Sequence, residues 1–341
     1  MQSTVKSFFI KLLIISIPFL LLFTFYLVTD PYRVLYHYEN YYTPRESQYV
    51  TLNRDLISTE MLLRNYPVYH YDSYIFGNSR SYFYSVKEWG RIINSNRCFH
   101  FNSNAESLYG FVQKLKFLDE RHYNFKNALF VIDIPMLQKV TPDKGPIFLK
   151  HPIFTGQSQL DFQLEFIKAF FDPRFLFAFI DLKITGKWKS YMKIVLSDRL
   201  FNYEIKTNEL AMNAEERKIK SDSTAYYERK TKKKNIFFKR SETEVVSPVV
   251  IKEPQLKLLS EASSILKKHR VNFRFIISPI YDQVKMNPAD LAQLDSLFGA
   301  QNVFDFSGRN EFTDPVGNYY ENSHYRPEVA LRLLEIAYSK R

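Results

Sequence analysis

From Leu12 to Thr29 the chain is an almost unbroken apolar run, with Phe8-Phe9-Ile10 just ahead of it and no charge after Lys11. A helix needs about 20 residues to cross a bilayer, so this run is long enough to do so. Lys6, Lys11 and the N-terminal amine precede it, while Asp30 and Arg33 follow. The positive-inside tendency places the short tail in the cytoplasm and everything after residue 30 outside. Pro18 is tolerable inside a membrane helix, where it can bend the axis. A cleaved signal peptide would have a shorter apolar region and a small-x-small site. The residues that follow are Asp30-Pro31-Tyr32-Arg33, with no such site. The sequence therefore predicts an uncleaved anchor that enters the membrane through residues 8–29. No second long apolar run follows, so the expectation is a single pass.

The remaining chain, within a total of 341 residues, is long enough for one large domain or two modest ones. A 45% hydrophobic and 24% charged composition is that of an ordinary globular protein and excludes wholesale disorder. The formal charge of +11 points to an anionic partner. No nucleic-acid motif accompanies it, and the basic excess lies largely in one central stretch. A membrane surface or an envelope polymer is the expected partner, and nucleic acid is not. A single cysteine, Cys98, excludes an intrachain disulfide and any Cys-rich metal site. Its apolar context predicts a buried structural thiol.

Residues 31–70 are Tyr-rich and irregular, reading as a stalk and wrapping segment with one helix near Asn53–Asn65. A rhythm of short apolar strands and helix-period stretches begins beyond them. Strands are predicted at Tyr74–Phe76, Cys98–Phe101, Ala128–Ile132, Asn272–Ile277 and Asn302–Phe306. Helices are predicted at Ser107–Leu118, Gln255–His269, Pro288–Phe298 and Arg326–Tyr338. This alternation predicts an α/β fold with a doubly wound, mostly parallel sheet over residues 71–341. Residues 140–250 break the rhythm and read as a large central insertion. Its first part is aromatic and helical (Phe162 to Phe179), and Glu215–Glu244 is a polar, partly mobile run.

Two stretches carry candidate chemistry. Gly77-Asn78-Ser79-Arg80 directly follows the first strand. Ligands of open α/β sheets bind outside the carboxyl ends of the strands, and amides of the following turn can stabilise an anion. Glu321-Asn322-Ser323-His324 lies before the last helix. A serine hydroxyl needs a base to take its proton, imidazole is the usual one, and a carboxylate three residues away can hold the other ring nitrogen. The other histidines (His37, His70, His100, His122, His151, His269) make no close pair with carboxylates at metal-ligand spacing, so no metal is expected. No phosphate-binding loop is present, and no cofactor is expected.

A Gly-x-Ser after the first strand and an acid-x-x-His before the last helix together resemble the SGNH/GDSL hydrolases. The arrangement is most similar to the membrane-anchored branch that includes alginate O-acetylation and teichoic-acid D-alanylation proteins. The resemblance covers residues 70–341, apart from the central insertion, and implies a flavodoxin-like, SGNH-type sheet. It matches Ser79 to the nucleophile, His324 to the general base and Glu321 to the orienting acid. Asn78, Arg80, Asn102, Ser103 and Asn104 become candidates for the oxyanion or substrate site. Three departures stand out: Asn78 replaces the Asp of Gly-Asp-Ser, and no glycine follows the second strand before Gly110. The third is that Val131-Ile132-Asp133-Ile134-Pro135 stands where the family has Gly-x-Asn-Asp.

The resemblance implies a serine esterase or O-acyltransferase of the cell envelope, anchored in the inner membrane with a periplasmic domain. Its substrate would be an acylated glycan or lipid-linked sugar, with a membrane-bound O-acyltransferase as a plausible partner. The alternative is a catalytically inactive envelope assembly or glycan-binding protein with the same fold.

Overall fold

The computed structural model describes residues 2–43, 47–233 and 235–339. Lys234, within the basic part of the polar run, lies outside the described residues. Gln2–Thr29 forms one helix, and its Val5–Thr29 portion is long and apolar enough to cross a membrane. Most of its apolar side chains from Phe8 to Leu21 are exposed, but its last turn is docked. Tyr26 is fully buried with its ring 5.0 Å from that of Phe170, and Phe25 packs on Phe170 and Phe179. These partners lie on the helices Gln159–Phe170 and Pro173–Thr185, where Phe162, Phe166 and Phe170 form the buried stripe of an aromatic cluster.

Segment 31–70 packs against the domain rather than standing clear of it. Asp30 is buried and accepts hydrogen bonds from the amides of Val34 and Leu35 and from the Tyr38 hydroxyl. Tyr41, Tyr42 and Leu52 join the main core. The helix Arg54–Tyr69, capped by the Asn53 side chain on the Leu56 amide, lies against the sheet's edge strand.

The sheet has five parallel strands: β1 (Ser73–Gly77), β2 (Cys98–Asn102), β3 (Asn127–Ile132), β4 (Asn272–Ile277) and β5 (Val303–Asp305). Successive strand side chains point to opposite faces, so strands that are apolar throughout must be covered on both. Tyr74, Phe76, Phe101, Phe130 and Phe275 pack under the helices Leu108–Glu120, Glu253–Lys268 and Pro288–Phe298. Ile75, Leu129, Val131 and Ile276 pack on the other face with Trp89, Val329 and Leu333 from the helices Val86–Ile92 and Pro327–Tyr338. Fully buried side chains of this size each contribute about 1.5–3 kcal/mol, so the two faces supply most of the driving force. Local signals agree with the packing. Ser107 caps Leu108–Glu120 through the Gly110 amide, and Asn287 caps the helix that begins at Pro288.

The strand order is β2-β1-β3-β4-β5, the flavodoxin-type order. Connections from β1 and β3 leave in opposite directions across the sheet, opening a crevice at their carboxyl ends. Between β3 and β4 lies the aromatic helical pair, followed by the polar run. The described part of that run, expected to be partly mobile, includes the ordered helices Asn213–Ser221 and Ser223–Glu228, and buries Ile219, Tyr226 and Phe237 against the second core face. Three apolar side chains spread through a polar stretch are enough to dock it.

Candidate active site

Gly77 ends β1 where the chain must leave the sheet beside β3. A Cβ there would lie 2.7 Å from the Val131 carbonyl oxygen and 2.9 Å from the Ser81 Cβ, so a side chain does not fit. Asn78 then caps a 3₁₀ turn over Ser79–Phe83 by accepting from the Arg80 amide at 3.0 Å. Ser79 is thereby held at the carboxyl end of β1, at the point where the strand order reverses.

Glu321 and His324 meet through a tight β-hairpin. Strands Tyr319–Glu321 and His324–Tyr325 pair antiparallel with Glu321 opposite His324, and only Asn322 and Ser323 lie between them. Buried Tyr319, Tyr320 and Tyr325 fasten this ribbon to the core. Lys230 and Tyr226 of the polar run hold it from above through the Tyr320 carbonyl, at 2.5 and 3.1 Å.

The hairpin carries the His324 Nε2 to 2.7 Å from the Ser79 Oγ. Its Nδ1 is hydrogen-bonded to the Glu321 Oε1, and the Glu321 Oε2 accepts from the Ser323 amide at 2.9 Å. A carboxylate on Nδ1 places the ring proton there and leaves Nε2 as the acceptor facing the serine hydroxyl. The Phe83 ring stands edge-on to the imidazole at 5.7 Å. Burial alone would raise the Glu321 carboxyl, but the hydrogen bond and charge of His324 outweigh it and hold the group below the ordinary carboxylate range. Glu321 is therefore ionised, as the stabiliser of an imidazolium must be.

A second serine–histidine pair provides a contrast. His100 Nε2 lies 3.1 Å from the Ser81 Oγ, but both residues are fully buried. Burial pushes the His100 imidazole down to about 3. Its Nδ1 has no partner among the described residues, so none of their carboxylates orients it. The Ser79 pair, by contrast, opens onto a cavity.

The secondary candidates lie at the ends of β1 and β2 or on the turns that follow them, and most of their polar groups are engaged elsewhere, although the Asn102 Nδ2 is buried with no partner among the described residues. Asn78 donates its amide to the Asp133 Oδ2. Arg80 spans the site, bonding Asp133 at 2.6 Å and the Ser323 carbonyl at 2.9 Å, and so ties the β1 turn to the hairpin. Asn102 accepts from Arg54 at 3.0 and 3.2 Å. The Ser103 amide bonds the Gly77 carbonyl at 3.1 Å, and its hydroxyl bonds Asp55 at 2.6 Å. Asn104 donates to the carbonyls of Leu52 and Ile147. The backbone amides of Ser79 and Asn104 have no acceptor among the described residues, and both residues line the cavity.

Sequence reasoning missed two things here. Asp133, at the end of β3, caps the next short helix through the Met136 amide at 2.9 Å. It is also the anchor for Asn78 and Arg80. The cavity wall was missed altogether. Ser79 and His324 open onto about 230 Å³ of space lined by Tyr42, Arg54, Tyr82, Asn104, Arg199 and Phe201, among others. Most of these come from segment 31–70 and from residues after β3. The one available signal was the aromatic richness of those stretches, which pointed first to core packing.

Among the described residues, no group of three His, Cys, Asp or Glu side chains is placed to hold a metal ion. No protein-family model matches the chain, and a search of curated proteins returns no match.

Proposed function

We propose that this is a membrane-anchored serine esterase or O-acyltransferase of SGNH type, with residues 140–250 as an insertion that shapes its substrate cavity. The observation that carries the proposal is the contact of Ser79, His324 and Glu321, brought from opposite ends of the chain onto one rim of the sheet. In the first half-reaction the Ser79 Oγ attacks an acyl carbonyl while the His324 Nε2 takes its proton. Glu321 holds the ring and stabilises the imidazolium. The tetrahedral oxyanion is met by the amides of Ser79 and Asn104. His324 then returns the proton to the departing alcohol, leaving an acyl-serine. Water or a sugar hydroxyl, deprotonated by the same imidazole, releases the acyl group.

We infer further that the anchor lies in the cytoplasmic membrane with the domain outside, and that the acyl group belongs to an envelope glycan or lipid-linked sugar. A membrane-bound O-acyltransferase is the fitting donor partner. The alternative, an inactive scaffold or glycan binder, draws support from the side-chain amides of Asn78 and Asn104, which are engaged elsewhere and not spared for the oxyanion. A fluorophosphonate probe on the full-length protein in detergent decides between them. Labelling that disappears in Ser79→Ala is the expected result, and an unlabelled but cooperatively melting wild type would favour the scaffold.

A further inference from the structure

We propose that the cavity beside Ser79 is a receptor for an oxyanion, a carboxylate or phosphate carried by the molecule whose acyl group Ser79 handles. The identity of that molecule as an acyl substrate rests on the function proposed above, whereas the anion site rests on electrostatics alone. Arg54 is 2% exposed, and every acceptor it finds is neutral. Its Nε and Nη2 bond the Asn102 Oδ1, and Nη2 also bonds the Asn208 carbonyl and side-chain oxygens, each at 3.0 Å. Its Nη1 is buried without an acceptor among the described residues. The rings of Tyr42, Tyr82 and Tyr203 stand 5.6–5.9 Å from the guanidinium carbon and return part of the lost hydration as cation–π attraction.

Burying a charge costs several kcal/mol, and a purely structural guanidinium would normally be matched by a carboxylate. Among the described residues no carboxylate pairs with Arg54, nor with Arg199 across the cavity. Among the described residues, the cavity lining includes Arg54 and Arg199 and no Asp or Glu. A small space with two positive groups, low-dielectric aromatic walls and no counter-charge among the described residues concentrates positive potential where a ligand would sit. Its volume of about 230 Å³ suits one charged sugar residue or substituent, not a polymer segment. Phe148, Phe201, Leu210 and Met212 give that group an apolar wall. The complement is an anion.

The test uses full-length protein in detergent, with binding of glucuronate, glucose 6-phosphate and glucose measured by isothermal titration at low salt. One or both anions should bind at least tenfold more tightly than glucose, the difference shrinking as salt is raised. Preference for glucuronate identifies a carboxylate source, and preference for glucose 6-phosphate a phosphate. Arg54→Gln and Arg199→Gln should each abolish the preference. Arg199 is exposed, so its variant stays informative if Arg54→Gln fails to fold. Anions binding no better than glucose to folded wild type would overturn the proposal, as would a preference that survives in Arg199→Gln and in any folded Arg54→Gln. Anion binding by a protein whose Ser79 resists fluorophosphonate would uphold this site while removing the esterase.

Discussion

Arg54 and Asp55 are adjacent in the chain and equally buried, yet they enter opposite electrostatic situations. Asp55 belongs to a closed set with Glu106, Lys114 and Lys150, two charges of each sign. Lys114 lies 2.7 Å from Glu106 and 3.3 Å from Asp55, and Lys150 touches both acids. The Ser103 hydroxyl and the His151 amide complete the Asp55 carboxylate. Burial alone would raise the Asp55 and Glu106 carboxyls, but the two ammonium groups outweigh it and hold both below the ordinary carboxylate range. Nothing in this set is left over for a ligand. Arg54 has no such partner among the described residues and faces a cavity that Ser79 and His324 also line. Burial and charge therefore do not by themselves mark a functional site; an unmatched charge beside open space does.

The comparison predicts that variants of the two regions separate cleanly into effects on chemistry and effects on stability. The largest effect falls on the open region. Ser79→Ala should lower turnover of an aryl acetate by about 10⁴-fold or more while leaving the thermal midpoint in place, since the hydroxyl supports no core contact. Glu321→Gln should follow with a loss of about 10³–10⁴-fold in kcat, because the amide no longer fixes the Nδ1-protonated tautomer. Equal activity in that variant, read from initial rates, would remove Glu321 from the mechanism.

The closed region should show the reverse. Glu106→Ala leaves Lys114 and Lys150 facing a single acid and should cost about 3–5 kcal/mol of stability, measured by urea unfolding. The fraction that remains folded should still label at Ser79. A smaller effect concerns acid. Asp55 and Glu106 have folded pKa values below their unfolded ones, so their contribution is full above the unfolded value of about 4 and declines as pH falls through the folded values. Stability of the wild type should drop below about pH 4, and that limb should be shallower in Glu106→Ala. Equal limbs would mean that the quartet does not govern acid unfolding.

The frame of the molecule was legible because it is written in local periodicities. Strands apolar on both faces required helices on both sides, and Gly77, Ser107, Pro288 and Pro327 marked the turns and helix starts. The pairing of Ser79 with the Glu321–His324 hairpin was legible through resemblance, since each motif fixes its own local geometry. The surroundings were not. Asn102, Ser103 and Asn104 looked like substrate-facing residues, but Ser103 was drawn into the charged quartet and Asn104 onto two loop carbonyls. Those partners lie far away in sequence, and no spacing rule connects them. Arg54 read only as part of the helix expected near Asn53–Asn65. Its meaning depends on Tyr42, Asn208 and Arg199, which chain folding alone brings together.

The most direct test is to trap the covalent species. Full-length protein mixed with an aryl acetate, quenched in acid and digested, should yield an acetylated peptide with the group on Ser79, absent in Ser79→Ala and strongly reduced in His324→Ala. A folded protein that gives no adduct, or carries it only on another residue, would contradict a nucleophilic Ser79 and with it the catalytic role of the hairpin.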